Sequence, residues 1–144
     1  MTPQSPNEKP SPQAPAAARI LIVDDDTDVL DVFPNLLGPG QYSITVASRG
    51  SLALELAANS TFDLAFVDYF MDDMNGVVVS QRLRHMQPQI QIVLMSGFSF
   101  DDKSEIIASS GARAFLHKPL NAGYIQALTD RLLHDKAPGE VAPQ

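Results

Sequence analysis

Five polar side chains follow closely on apolar runs in this chain. Asp24 and Asp25 come after Ile20-Leu21-Ile22-Val23, and Asp68 after Leu64-Ala65-Phe66-Val67. Ser96 closes Ile90 to Met95, and Lys118 lies just beyond Ala114-Phe115-Leu116. Any one of them has a bland explanation, since an Asp after a strand commonly caps the next helix. Brought together, they define a chemistry. Three neighbouring carboxylates repel one another and do not all stay ionised without compensation. One ammonium, Lys118, offsets part of that charge. The remainder calls for a divalent cation, and an all-oxygen donor set suits Mg2+. Such a cation also neutralises an incoming phosphate, while an Asp carboxylate can serve as nucleophile and become an aspartyl phosphate.

Convergence requires elements that carry these residues to one place. The apolar runs, with Tyr42 to Ala47 as a further one, are β-rich, and four of the five are nearly continuous in hydrophobicity, as in strands covered on both faces. Between and after them, apolar residues recur near the helical period: Val29, Val32/Phe33 and Leu36; Leu52 and Leu56; Val78/Val79 and Leu83; Ile106/Ile107; Ile125, Leu128 and Leu132. Five strands each followed by a helix predict an α/β fold with a parallel sheet and right-handed crossovers. In such sheets ligands bind at the carboxyl ends of the strands, where all five polar residues fall. Tyr42 to Val46 alternates most and is the expected edge strand. Pro34 lies inside the first helical pattern and is expected to kink or shorten it.

Composition limits the alternatives. Ten basic against 17 acidic residues give a net charge of −7, which argues against direct binding of nucleic acid or anionic membranes. Cysteine is absent, so thiolate zinc sites and thiol nucleophiles are excluded. No apolar run approaches the length of a membrane-spanning helix, and no secretory leader is visible, so a cytoplasmic protein without membrane contact is expected. Residues 1–18 hold five of the eleven prolines and read as a disordered Pro/Ala-rich tail. Residues 135–144 read as a flexible C-terminal tail, leaving residues 19–134 as one folded domain.

Ile20 to Asp26, Asp63 to Gly76, Leu94-Met95-Ser96-Gly97 and Phe115-Leu116-His117-Lys118-Pro119 resemble, in order and spacing, the receiver domain of two-component response regulators. The resemblance runs from Arg19 to His134. It implies a flavodoxin-like (βα)5 doubly wound sheet with strand order 2-1-3-4-5, and phosphoryl transfer to Asp68 from a histidine kinase or histidine phosphotransfer protein. It further implies Mg2+ held by Asp25, Asp68 and the backbone carbonyl of Phe70, with Asp24 contributing directly or through water. Ser96 and Lys118 would contact phosphoryl oxygens, Gly97 would leave room for them, and Lys118–Pro119 would be a cis peptide. Ser96 and Phe115 would form the switch that alters the face made by the fourth helix, fifth strand and fifth helix. That face would contact a downstream protein or a second copy in a homodimer.

Two departures stand out. Asp72 replaces the proline usual after the methionine and is expected to change the mobility of its loop. Phe70 and Phe98, two residues beyond Asp68 and Ser96, are large and apolar where a hydrolytic water must pass, so slow loss of phosphate is expected. Asp26 and Asp73 read as helix-start or loop carboxylates, and His85, His117 and His134 as structural or solvent-facing. Arg82 and Arg84 are too few for a nucleic-acid patch.

Other classes fit less well. A phosphohydrolase with an Asp nucleophile usually carries a second carboxylate two residues on, where this chain has Phe70. A calcium loop beginning at Asp24 lacks its sixth-position Gly and twelfth-position Glu, these being Val29 and Asn35. A flavin phosphate would be repelled by Asp24-Asp25-Asp26. A phosphorylation-independent interaction module, or the receiver piece of a hybrid histidine kinase, remains as the alternative.

Overall fold

The computed structural model describes residues 17–38, 40–99 and 103–134. The expected tails, apart from Ala17 and Ala18, lie outside the described residues. Five strands and five helices alternate: β1 (Arg19–Val23), α1 (Thr27–Leu37), β2 (Ser43–Ala47), α2 (Gly50–Asn59), β3 (Leu64–Asp68), α3 (Gly76–Met86), β4 (Gln91–Ser96), α4 (Ser104–Ser110), β5 (Ala114–His117) and α5 (Ala122–His134). The strands form one parallel sheet in the order β2-β1-β3-β4-β5, a doubly wound flavodoxin-like fold as expected.

The continuous hydrophobicity of the central strands has its cause in two layers of helices. Leu21, Val23, Ala65, Val67, Ile92 and Leu94 face α2, α3 and α4, with Ala53, Ala57, Val79 and Leu83 against them. Ile20, Ile22, Leu64, Phe66, Val93 and Met95 face α1 and α5, packing on Phe33, Leu37, Ile125, Leu128 and Leu132. Each buried Val, Leu, Ile, Phe or Met among these stabilises the fold by about 1.5–3 kcal/mol. β2 is an edge strand, which explains its alternating pattern; only Ala47 in it is buried.

Pro34 does not end its helix. α1 continues three residues beyond it, because Phe33 and Leu37 on either side are buried in the sheet face, and that packing outweighs the hydrogen bond Pro34 cannot donate. Phe33 also meets Phe66 with ring centroids 4.8 Å apart.

The amino-terminal rim of the sheet is tied by side chains. Gln87 Nε2 donates to the carbonyls of Ala57 and Ser60, and its Oε1 accepts from the Phe62 amide. Gln91 Nε2 donates to the Leu132 carbonyl, while Arg113 donates to Gln91 Oε1. Arg19 donates from its side chain to Thr61 O and from its backbone to Asp63. Among the described residues, no helix is long and apolar enough to cross a membrane.

Candidate functional site

The opposite, carboxyl-terminal rim carries the polar residues. Parallel pairing places the ends of β1, β3, β4 and β5 side by side, with Asp68 level with Met95 and Ser96 level with His117. The ladder extends past the strands at this rim: Asp24 N donates to Ala47 O, Tyr69 N to Met95 O and Lys118 N to Ser96 O. Backbone pairing therefore fixes the positions from which the side chains reach inward.

Asp24, Asp25 and Asp68 each present a carboxylate oxygen within 4.8 Å of the others. Asp24 is fully buried and Asp68 nearly so, while Asp25 is exposed. Lys118 Nζ bridges the two buried members, 2.8 Å from Asp24 Oδ2 and 3.0 Å from Asp68 Oδ1. Asp24 Oδ1 accepts from the Asp26 amide at 2.9 Å. Asp24 Oδ2 is left without a well-directed hydrogen bond, its contact with Lys118 being ionic.

The electrostatics follow from burial. Desolvation, then the charge of Asp24, pushes the Asp68 carboxyl up to about 6, against the lowering influence of Lys118. Burial alone would lower the Lys118 ammonium, but its close pairing with Asp24 and Asp68 outweighs that and raises it. One cation against three carboxylates leaves an excess of negative charge. The cup thus fits a hard divalent cation: the donors are all oxygen, they converge, and one buried oxygen lacks a directed partner.

Ser96 is buried at the end of β4, where its Oγ accepts from the Phe98 amide at 2.9 Å. A Cβ on Gly97 would meet nothing within 4 Å, so the space beside it is open. Lys118–Pro119 is cis. Phe115 is half-buried among the side chains on the α2–α4 side, with Lys103 Nζ 5.5 Å from its ring centroid. Phe70 and Phe98 are exposed and meet edge to face, centroids 4.9 Å apart, and Tyr69 packs against Phe70 at 4.6 Å. His85, His117 and His134 are exposed.

Asp26 is the N-cap of α1, accepting from the Asp28 amide. The loop between β3 and α3 holds contacts that sequence reasoning missed. Asp73 accepts from the amides of Gly50 and Ser51 at 3.0 and 2.9 Å, capping the start of α2 from across the loop. These hydrogen bonds, those to Ser51 foremost, hold its carboxyl below the usual range. The Asp72 amide donates to Asp25 Oδ2 at 3.1 Å. Gly76 closes the loop, where a Cβ would collide with the Asp68 carbonyl oxygen and the Tyr69 Cα. A glycine after a short polar loop was the only signal in the sequence for this tight return.

Comparison with known proteins agrees with this geometry. The sequence profile described as the response regulator receiver domain matches residues 20–130. The transcriptional regulatory protein ZraR of Escherichia coli K12 is 30% identical over 114 residues, covering 79% of this chain and 26% of ZraR. The alginate biosynthesis transcriptional regulatory protein AlgB of Pseudomonas aeruginosa is 33% identical over 101 residues, covering 70% of this chain and 22% of AlgB. The chain thus spans about a quarter of the length of these curated relatives. Among solved structures, a CheY-like response regulator receiver domain protein from Methanospirillum hungatei is 27% identical with a TM-score of 0.79, covering 84% of this chain and 97% of that one. The response regulator TrrA from Thermotoga maritima, solved in complex with Mg2+–BeF, shares the fold at 23% identity and a TM-score of 0.71, covering 80% of this chain and 98% of its own. A profile match across nearly all of the folded residues, on a sheet of this order with an acidic cup at this rim, makes the chain a member of the response regulator receiver family.

Proposed function

We propose that this chain accepts a phosphoryl group on Asp68 from a phosphohistidine of a histidine kinase or phosphotransfer protein, and relays the event through its α4-β5-α5 face. The observation that carries this reading is the bridge of Lys118 between Asp24 and Asp68 inside a cup of three carboxylates. Asp24, Asp25 and Asp68, with the Phe70 carbonyl, would hold Mg2+, which when bound supplies charge neutralisation for the phosphoryl oxygens. TrrA, which shares the fold, binds Mg2+.

The chain's own residues divide the work. Above about pH 6 the Asp68 carboxylate is ionised and one of its oxygens attacks phosphorus. The P–N bond to the donor imidazole breaks, its electron pair goes to nitrogen, and that nitrogen takes up a proton. Once Asp68 carries the phosphoryl group as an acyl phosphate, Lys118 loses one partner and turns to a phosphoryl oxygen. The Ser96 Oγ already accepts from the Phe98 amide, which leaves its hydroxyl proton to donate to another phosphoryl oxygen. Positioning and charge complementarity dominate such a transfer.

The output is a population shift. A phosphoryl group adds about −1.5 to −2 charges. The state in which Ser96 turns toward it, and Phe115 turns inward, gains stability relative to the other. Phe115 is half-buried, and Lys103 lies over it on the α4 side. The face so altered would engage a downstream protein or a second copy of the chain, in the cytoplasm.

Incubation with a small-molecule phosphodonor and Mg2+, followed by intact-mass measurement, tests the reading. Wild type should gain the mass of one phosphoryl group and Asp68→Asn none. A gain by both, or by neither, would sink it.

A further inference from the structure

We propose that the backbone N–H of Asp72 is a positioning group for the site, fixing the Asp25 carboxylate so that its other oxygen is presented to a divalent cation. This rests on the phosphoacceptor reading above and adds to it a group that the family's usual proline at this position cannot supply.

The three carboxylates are held unequally. Asp24 is buried and gripped by the Asp26 amide and Lys118. Asp68 is nearly buried and paired with Lys118. Asp25 is the exposed member, and the hydrogen bond that the structure gives its carboxylate comes from the Asp72 amide, 3.1 Å from Oδ2. An exposed Asp without a partner samples several rotamers and must lose that freedom to bind a metal. A donor on one oxygen selects the rotamer and leaves Oδ1 as the open ligand. Groups that orient ligands in this way typically change metal affinity by about 10–100-fold.

The donor is itself anchored. Asp73, the next residue, is tied by two amides at the start of α2. Asn75 caps α3 by accepting from Val77, and the Gly76 amide returns to the Tyr69 carbonyl at 2.8 Å. The Asp72 amide is thus placed by contacts on both sides, and the loop aims it at Asp25. Asp72, which from the sequence is expected to change the mobility of this loop, also brings a backbone donor that proline lacks.

The experiment uses the full chain, freed of metal and titrated with Mg2+ alone, with binding followed by amide chemical shifts. Asp72→Asn keeps the N–H and removes the side-chain charge; Asp72→Pro removes both. Asp72→Asn should bind within about threefold of wild type, and Asp72→Pro about tenfold more weakly than Asp72→Asn. Equal affinities for the two variants would overturn the proposal. A second measurement holds even if the proline variant does not fold. In metal-free wild type the Asp72 amide proton should lie downfield and exchange slowly. It should move upfield and exchange at least tenfold faster in Asp25→Ala. An Asp72 amide indifferent to that substitution would equally overturn the proposal. If wild type itself bound no Mg2+ and took up no phosphoryl group, the phosphoacceptor reading would have failed instead.

Discussion

Replacing Asp68 with Asn should stabilise the metal-free protein, although the residue is the proposed phosphoacceptor. In the folded chain its carboxyl is raised from 3.8 to about 6, mainly by burial and then by Asp24. The folded state therefore holds the Asp68 proton more tightly than the unfolded chain does, and stability falls as pH rises between about 4 and about 6. At about 1.4 kcal/mol per pH unit, ionised Asp68 costs about 3 kcal/mol above that window. Asn is a neutral isostere and escapes this cost, but it gives up the ionic part of the contact with Lys118. The expected gain is therefore about 1.5–3 kcal/mol near pH 7.5, or about 5–10 °C in Tm for a folded unit of this size. Near pH 5 the gain should shrink to about half, because wild type is then largely protonated. Urea unfolding of both proteins in a chelator, at both pH values, measures the difference, and other titrating groups cancel in the comparison. Added Mg2+ should close the gap by stabilising wild type more, by about 2.7 kcal/mol at a hundredfold excess over its Kd. A variant less stable than wild type near pH 7.5 without metal, or a gap independent of pH, would refute the electrostatic account of the cup.

Further outcomes follow from neighbouring contacts. Lys118→Met should abolish phosphoryl uptake by intact mass. It should also destabilise the metal-free protein above about pH 6 by about 3 kcal/mol, because two buried carboxylates lose their counter-charge. Phe70→Asn combined with Phe98→Glu should open the edge-to-face pair at the rim and shorten the acyl-phosphate lifetime about tenfold, followed by mass decay. Gly76→Ala should cost about 3 kcal/mol in urea unfolding, since its Cβ meets the rigid backbone at Asp68 and Tyr69. Asp73→Ala should cost about 1 kcal/mol by removing the cap on α2. That contribution is present in wild type above about pH 4 and fades as pH falls through the lowered Asp73 value, so a stability difference that persists at low pH would count against it.

The fold was legible because its strands are covered on both faces. Ile20 to Val23 and Ile92 to Met95 have no polar alternation, and that alone points to a sheet between two helical layers. The cup was legible because Asp24, Asp25, Asp68 and Lys118 all follow closely on such runs, and parallel strands align their ends. Pro34 was misread. Helix propensity weighed it correctly as a local fault, but the burial of Phe33 and Leu37 is a tertiary contribution that no window of sequence contains. The inner contacts of the β3–α3 loop were also out of reach. Asp73 caps a helix 22 residues earlier in the chain, and the Asp72 donor is a backbone group with no side-chain signature. The resemblance to receivers drew notice to Asp72 only as a missing proline. Its positive contribution needed coordinates.

The ties made by Arg19, Gln87, Gln91 and Arg113 all lie at the end of the sheet away from the acidic residues. They pin the α2–β3 connection to the end of α3 and the last turn of α5 to the start of β4. That end behaves as a fixed footing. On the proposed switch, rearrangement at the far rim would meet this pinned floor and find its freer course in the loops and helix starts of that rim.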